Sequence, residues 1–229
     1  YAGALSTLKA LASDTVGHVR SAAFAAMGWL CDEREVDFLV TGLDDKYRDV
    51  REASVGALVM IGNPRVVAKL NADLYHESTE RQRLAVYGLG LIGDGEVIEP
   101  LSRAIGHPEA SVRKSAIDAL ARIREFTKAD SIMVALNDES AAVRKSAVSA
   151  LISIKGADGV HDVRFLLNDE DMWVRYHTIC AIGDLRMEQF AEHIMPFLQD
   201  PHDVIKIAAT KALAQMGCRS AISALSGLR

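Results

Sequence analysis

The sequence predicts an all-α fold, a right-handed α-solenoid of about seven helical hairpins of thirty-one residues each, forming a single domain over residues 1–229. Three observations carry that expectation. First, a Val-Arg step or a close relative returns at Val19-Arg20, Val50-Arg51, Val112-Arg113, Val143-Arg144, Val174-Arg175 and Ile205-Lys206, with one missing beat at Arg81-Gln82. Second, four small or apolar columns keep the same beat, which is the signature of a repeat architecture. Third, no stretch alternates apolar and polar residues for long, so no sheet is expected.

The columns justify the elements in order. Within each unit a longer helix carries a small residue at Ala26, Ala57, Gly88, Ala119, Ala150, Ala181 and Ala212. An aliphatic or Met follows it at Met27, Leu58, Leu89, Leu120, Leu151, Ile182 and Leu213, and another three residues later, from Leu30 and Ile61 to Met216. In the second unit Val50, Ala53 or Ser54, Ala57, Leu58 and Ile61 fall on one face of an α-helix. Gly62 is placed to end that helix as a left-handed cap, and Pro64 follows. A shorter helix comes next, with Val67, Leu70 and Leu74 as its stripe. Its column runs Leu8, Leu39, Leu70, Leu101, Ile132, Val163, Ile194 and Leu225. Acidic or amide residues at the next junction (Asp44-Asp45, Asn137-Asp138, Asn168-Asp169) are expected to N-cap the following long helix. Pro108 and Pro201 fall at the same junction, where a helix start tolerates them. One hairpin cannot bury both of its stripes alone. Stacking hairpins builds a continuous core, and the small column lets the helices approach closely.

Composition agrees. Hydrophobic residues make up 49% and aromatics only 6%, so the apolar mass is Ala, Leu, Val and Ile, which suits helices. With 25% charged residues, this excludes a disordered chain. The net charge of −5 argues against a nucleic-acid grip carried by bulk charge. Cys31, Cys180 and Cys218 form no C-x-x-C pair, which points to a reducing, cytoplasmic setting with no disulfide frame and no cysteine-based zinc site. No apolar run approaches the ~18 residues of a membrane span, and no secretory leader pattern is visible.

The segments LDDKYRDVREASVGALVMIG (Leu43–Gly62) and LNDESAAVRKSAVSALISI (Leu136–Ile154) resemble short HEAT-like repeats. These are of the type found in phycobilisome lyases and in artificial helicoidal repeat proteins. The resemblance covers essentially the whole chain. It implies that the Arg column (Arg20, Arg51, Gln82, Arg113, Arg144, Arg175, Lys206) pairs along the spine with residues six positions upstream (Asp14, Asp45, His76, His107, Asp138, Asp169, Asp200). The third unit departs in both columns together, whereas in the fourth His107 faces an intact Arg113. The expected role is a structural ladder of caps and ion pairs.

The resemblance also implies that the long helices line a concave surface. Gly17, His18, Ser21, Ala22, Ala25 and Trp29 are then exposed in the first unit, with Thr79, Glu80, Arg83, Leu84, Tyr87 and Leu91 in the third. In the sixth they are Met172, Trp173, Tyr176, His177, Cys180 and Asp184. Both tryptophans fall on this face, and aromatics and Met anchor protein interfaces. The partner-binding candidates are Trp29, Arg83, Tyr87, Met172, Trp173, Tyr176, His177 and Asp184. The basic residues of this face (Arg48, Arg83, Lys114, Arg122, Lys145, Lys211) are balanced by Asp49, Glu52, Glu80, Asp118, Asp184 and Asp203. A phosphate-tracking groove, such as the HEAT-like DNA glycosylases imply, needs one sign of charge.

Chemistry is sparsely signalled. Trp173, Tyr176, His177, Cys180 and Asp184 share one helical stripe, so a thiol activated by imidazole is conceivable there. However, residues on a single helix rarely converge on one reacting atom. His76-Glu77 resembles one His-Glu pair of the di-iron deoxyhypusine hydroxylases, a family that needs four. No metal motif or phosphate loop appears, so no catalytic residue, metal or cofactor is expected. Both ends lack polar caps: Leu5, Leu8 and Leu11 at one, Ile222, Leu225 and Leu228 at the other. A piece of a longer protein, or ends covered by self-association, is the expectation. The reading is a non-enzymatic scaffold that binds a partner protein and neither nucleic acid nor membrane. The alternatives are a lyase-like accessory holding a chromophore or small ligand near Trp173 and Tyr176, and a nucleic-acid-binding protein.

Overall fold

A computed structural model describes residues 2–30, 33–124 and 129–217. Cys31, Cys218 and the Ile222, Leu225 and Leu228 stripe lie outside the described residues. Among the described residues every element is helical. The long helices are α2 (Gly17–Leu30), α4 (Arg48–Ile61), α6 (Thr79–Ile92), α8 (Ala110–Ile123), α10 (Ala141–Lys155), α12 (Met172–Asp184) and α14 (Asp203–Met216). Their first residues follow one another at the thirty-one-residue period. The short helices are α1 (Ala2–Leu11), α3 (Val36–Thr41), α5 (Pro64–Asp73), α7 (Gly95–Ala104), α9 (Ala129–Val134), α11 (Ala157–Val163) and α13 (Ala191–Ile194). Several run on into a 3-10 turn, as at Gly42–Asp44, Ala135–Asn137, Arg164–Asn168 and Met195–Gln199.

The chain divides into two compact units, Tyr1–Ile123 and Arg124–Arg229. Each is a stretch of α-solenoid. In the first, α2, α4, α6 and α8 pack in succession, and α1, α3, α5 and α7 lie against them as a second layer. In the second, α10, α12 and α14 pack in the same way against α9, α11 and α13. The core of each unit lies between its layers, where Leu39, Leu58, Leu70, Leu89, Leu101 and Leu120 are sealed in the first, and Ile132, Leu151, Val163, Ile182, Ile194 and Leu213 in the second.

Gly62, Gly93 and Gly217 end α4, α6 and α14 in the left-handed region, each returning its N–H to the carbonyl four residues back. Pro64 is the first residue of α5, and Asn63 caps it by accepting the Val66 N–H at 3.0 Å. The junction acids are not the caps that the sequence suggested. The N-caps of α4, α10, α12 and α14 are Tyr47, Ser140, Asp171 and His202. Asp45, Asp138, Asp169 and Asp200 stand two residues earlier and accept the N–H of those capping residues at 2.8–2.9 Å. This is an Asx turn. It bends the chain out of the short helix and aims the next long one. His76 and His107 make the same turn, with Nδ1 accepting from Ser78 and Glu109 at 3.1 Å. Pro108 and Pro201 precede their helices by two residues, inside these turns.

The close approach of neighbouring long helices depends on glycines that meet the small column. A Cβ on Gly28 would lie 2.7 Å from the Ala57 Cα, and one on Gly183 would lie 2.7 Å from the Ala212 Cα. One on Gly90 would lie 2.7 Å from the Ala119 methyl. None of these leaves room for a methyl group.

Candidate partner-binding face and its supporting ladder

The ladder is built one guanidinium at a time. Arg20 Nη1 donates to the carbonyls of Asp14 and Thr15, clamping the turn that begins its own helix (2.7 and 3.2 Å). Its Nε and Nη2 reach the Asp45 carboxylate of the next hairpin at 2.7 and 2.8 Å, a bidentate fork. Arg144 repeats this, clamping Asp138 and Glu139 and forking onto Asp169 at 2.8 and 2.7 Å. Arg175 clamps Asp169 and Glu170, with Nη2 4.0 Å from the Asp200 carboxylate. Arg113 clamps His107 and Pro108. The ion pairs of Arg20, Arg144 and Arg175 therefore run to the acid of the following hairpin, twenty-five residues on. Six residues upstream, the Arg holds only a backbone carbonyl.

That register resolves the irregular units. The partner position of Gln82 is His107, so an uncharged amide stands opposite an imidazole whose Nδ1 accepts a backbone N–H. The other ring nitrogen then carries the proton and donates to the Leu74 carbonyl at 3.0 Å. Arg51 finds a histidine in the acid's place and turns to Glu80 at 3.1 Å. Its Nε has no partner among the described residues. The missing Val-Arg beat has its own cause. Arg81 replaces the valine and is held by Asp73 and Asp44 at 3.0 and 2.5 Å.

Along the long helices, the candidate face is part open and part closed. In the first unit Trp29 is 78% exposed, and Arg83, Tyr87 and Leu91 are exposed with it. Met60 also stands out at the position thirty-one residues after Trp29, which the sequence reading had not singled out. Trp29, Met60 and Leu91 thus continue one column across three helices. Leu84, expected on the open face, is 8% exposed. A leucine at that edge position is long enough to be covered as α4 and α8 close on either side of α6. The basic residues nearby are matched: Arg48 with Glu52 at 2.6 Å, Arg83 with Glu80 at 3.2 Å and Lys114 with Asp118 at 2.6 Å.

In the second unit Trp173, His177 and Asp184 are exposed. Met172, Tyr176 and Cys180 are half-buried and pack on the core, which corrects the expectation that all six stand free. Tyr176 meets Trp173 edge-on at 5.7 Å and His177 at 5.8 Å. Burial pushes the Cys180 thiol up, aided by Asp184 and opposed by its hydrogen bond with Tyr176. The same bond raises the Tyr176 hydroxyl. Burial, then the charge of Lys145, lowers His177. A raised thiol beside a lowered imidazole is the reverse of an activated thiolate–imidazolium pair. The described residues hold no group of three or more His, Cys, Asp or Glu side chains able to bind a metal ion, and His76 is engaged in its turn. No described helix is long and apolar enough to cross a membrane.

These features place the protein among helical-repeat folds. The family model for HEAT repeats matches residues 1–59, 65–152, 129–214 and 162–229. The chain belongs to the HEAT-repeat family. Among solved structures it is similar to the Escherichia coli protein YibA, with 17% identity, 97% of this chain and 85% of that one covered, and a TM-score of 0.65. It is also similar to the CpcE–CpcF phycocyanin lyase complex of Nostoc sp. PCC7120 (18% identity, 97% and 92% covered, TM-score 0.48). Human deoxyhypusine hydroxylase is matched at 17% identity over 97% and 88% of the chains, with a TM-score of 0.47. At this identity the likeness is one of fold. No curated protein matches the chain.

Proposed function

We propose that the protein is a non-enzymatic scaffold that binds a partner protein on the exposed face of its long helices. The observation that carries this reading is the exposed column of Trp29, Met60 and Leu91, with Tyr87 beside it. Large apolar side chains left open in register on rigid helices are costly in water and are the usual anchors of interfaces. Trp173 and His177 offer a second, aromatic patch in the other unit. Matched charges around Arg48, Arg83 and Lys114 favour a protein over a polyanion, because a phosphate would have to displace a carboxylate at each of them.

The test is affinity capture from the native host with wild-type protein and with a Trp29→Ala, Tyr87→Ala double variant. One discrete partner should be retained by the wild type and lost, by at least tenfold, with the variant at unchanged helical circular dichroism. Equal retention by both proteins removes this face from consideration.

A further inference from the structure

We infer that the face formed by α4, α6 and α8 takes an α-helical segment of the partner protein, one with two apolar residues seven apart and an aspartate or glutamate seven further along that meets Arg122. The inference rests on the scaffold reading above and names the chemistry of the partner at that face. Its first support is a row of side chains at one repeat position. Met60, Leu91 and Arg122 are thirty-one residues apart, on three successive long helices. Met60 and Leu91 are 41% and 42% exposed, and Arg122 is exposed with them. Long helices of this chain flank α4 and α6 on both sides, so neither apolar residue is open for want of a neighbouring hairpin. A Cβ on Gly28 would lie 3.1 Å from the Met60 sulfur, and one on Gly90 would lie 2.9 Å from Arg122 Nη2. Both side chains therefore lean over the preceding long helix, which brings the guanidinium to the residue beside Leu91.

The second support is charge. Arg48, Arg83 and Lys114 on this face hold Glu52, Glu80 and Asp118. Arg122 has no ion pair or hydrogen bond among the described residues. An uncommitted guanidinium at the end of an apolar row selects a carboxylate, onto which it can fork. A polyanion matches poorly, because its next phosphates would meet Leu91 and Met60. Spacing then selects a helix. Neighbouring long helices pack about 8–10 Å apart. On an α-helix residues i and i+7 share a face and lie about 10.5 Å apart. A strand offers same-face residues at about 6.7 or 13 Å. With the acid toward the C-terminal end, the dipole of the bound helix adds to the attraction of Arg122. The floor leaves room for it: nothing lies within 4 Å of the missing Cβ of Gly56, and Tyr87, at the same position on α6, stands exposed to flank the helix.

The probe is a phage-displayed library of peptides randomised along one face of an alanine- and glutamine-rich helical frame, selected against the full chain. Enriched peptides should carry aliphatic or aromatic residues at i and i+7 and an acid at i+14. Leu91→Ala should weaken a selected peptide. Arg122→Glu, at unchanged helical circular dichroism, should weaken it by about tenfold or more, and exchanging the peptide's acid for lysine should restore binding to that variant. Peptides that need Leu91 but are indifferent to Arg122→Glu, or that bind in an extended form, overturn the inference and leave the scaffold reading standing. A library that yields no peptide sensitive to Leu91→Ala overturns it as well. A wild-type dimer in light scattering that Arg122→Glu dissolves assigns the face to a second copy, and the inference falls. The scaffold reading fails by a separate result, equal capture of the natural partner by the Trp29→Ala, Tyr87→Ala variant.

Discussion

A single arginine in each ladder rung does two things. It satisfies carbonyls left open by the junction turn, and it links that turn to the acid of the next hairpin. Where one partner changes, the contacts around it rearrange, as when Arg51 meets His76 and turns to Glu80. Gln82 stands in register with His107, and Arg81 enters an apolar position only where Asp73 and Asp44 can hold it. Arg20 holds the Asp45 carboxyl below the usual carboxylate range, through its hydrogen bond and then its charge; burial works against it, and the Tyr47 N–H adds to the lowering. A carboxyl lowered on folding stabilises the native state fully above its unfolded value, near pH 4, and loses that contribution as pH falls through its folded value. The urea midpoint should therefore drop as the pH is taken below about 4. Asp45→Asn keeps the turn but removes the titration, so the variant starts less stable at pH 6 and falls less steeply. Parallel curves for the two proteins would show that this fork adds no pH-dependent stability.

At the scale of the helix, the determinant is how closely long helices can approach. Gly183 lies against the Ala212 backbone, so Gly183→Ala has to push α12 and α14 apart. The expected cost is about 1–3 kcal/mol, as for an overpacked core. Gly56 sits in α4 with open space around its missing Cβ, and Gly56→Ala should instead stabilise by about 0.5–1 kcal/mol. Urea denaturation distinguishes them by the sign of the midpoint shift. The small column at Ala57 and Ala212 was legible in the sequence, and so were the onset of each long helix and the aliphatic stripes, because period and polarity encode them directly. The glycines facing that column could have been found too, since Gly28, Gly90 and Gly183 recur at one repeat position. The direction of the ladder was not legible. Spacings of six and twenty-five residues fit the same two columns equally well, and only packing decides between them. The N-caps were misplaced for a local reason: Asx turns and helix caps draw on the same residue types two positions apart. On the candidate face, exposure of Trp29 and Trp173 was expected from the resemblance to HEAT-like repeats, but burial of Leu84 and half-burial of Met172 depended on neighbouring helices.

Across the molecule, contacts run from each hairpin to its neighbours within a unit, so stability should be local rather than shared evenly along the chain. That property suits a binding scaffold. A surface built of near-independent steps can vary its exposed residues, as it does from Trp29 to Met60 to Leu91, while the ladder and the apolar columns beneath stay fixed. It also makes a specific prediction. Gly183→Ala strains the α12–α14 contact, and in a chain of nearest-neighbour interactions the effect should fade within a hairpin or two. Native-state hydrogen exchange should show amides of α12 and α14 losing protection by about ten- to hundredfold, equivalent to the expected 1–3 kcal/mol, with amides of α4 and α6 unchanged. Equal loss in both sets would mean that the chain unfolds as one cooperative block. The long helices could not then be varied one at a time, and the proposed partner binding at Trp29 would respond to substitution at Gly183.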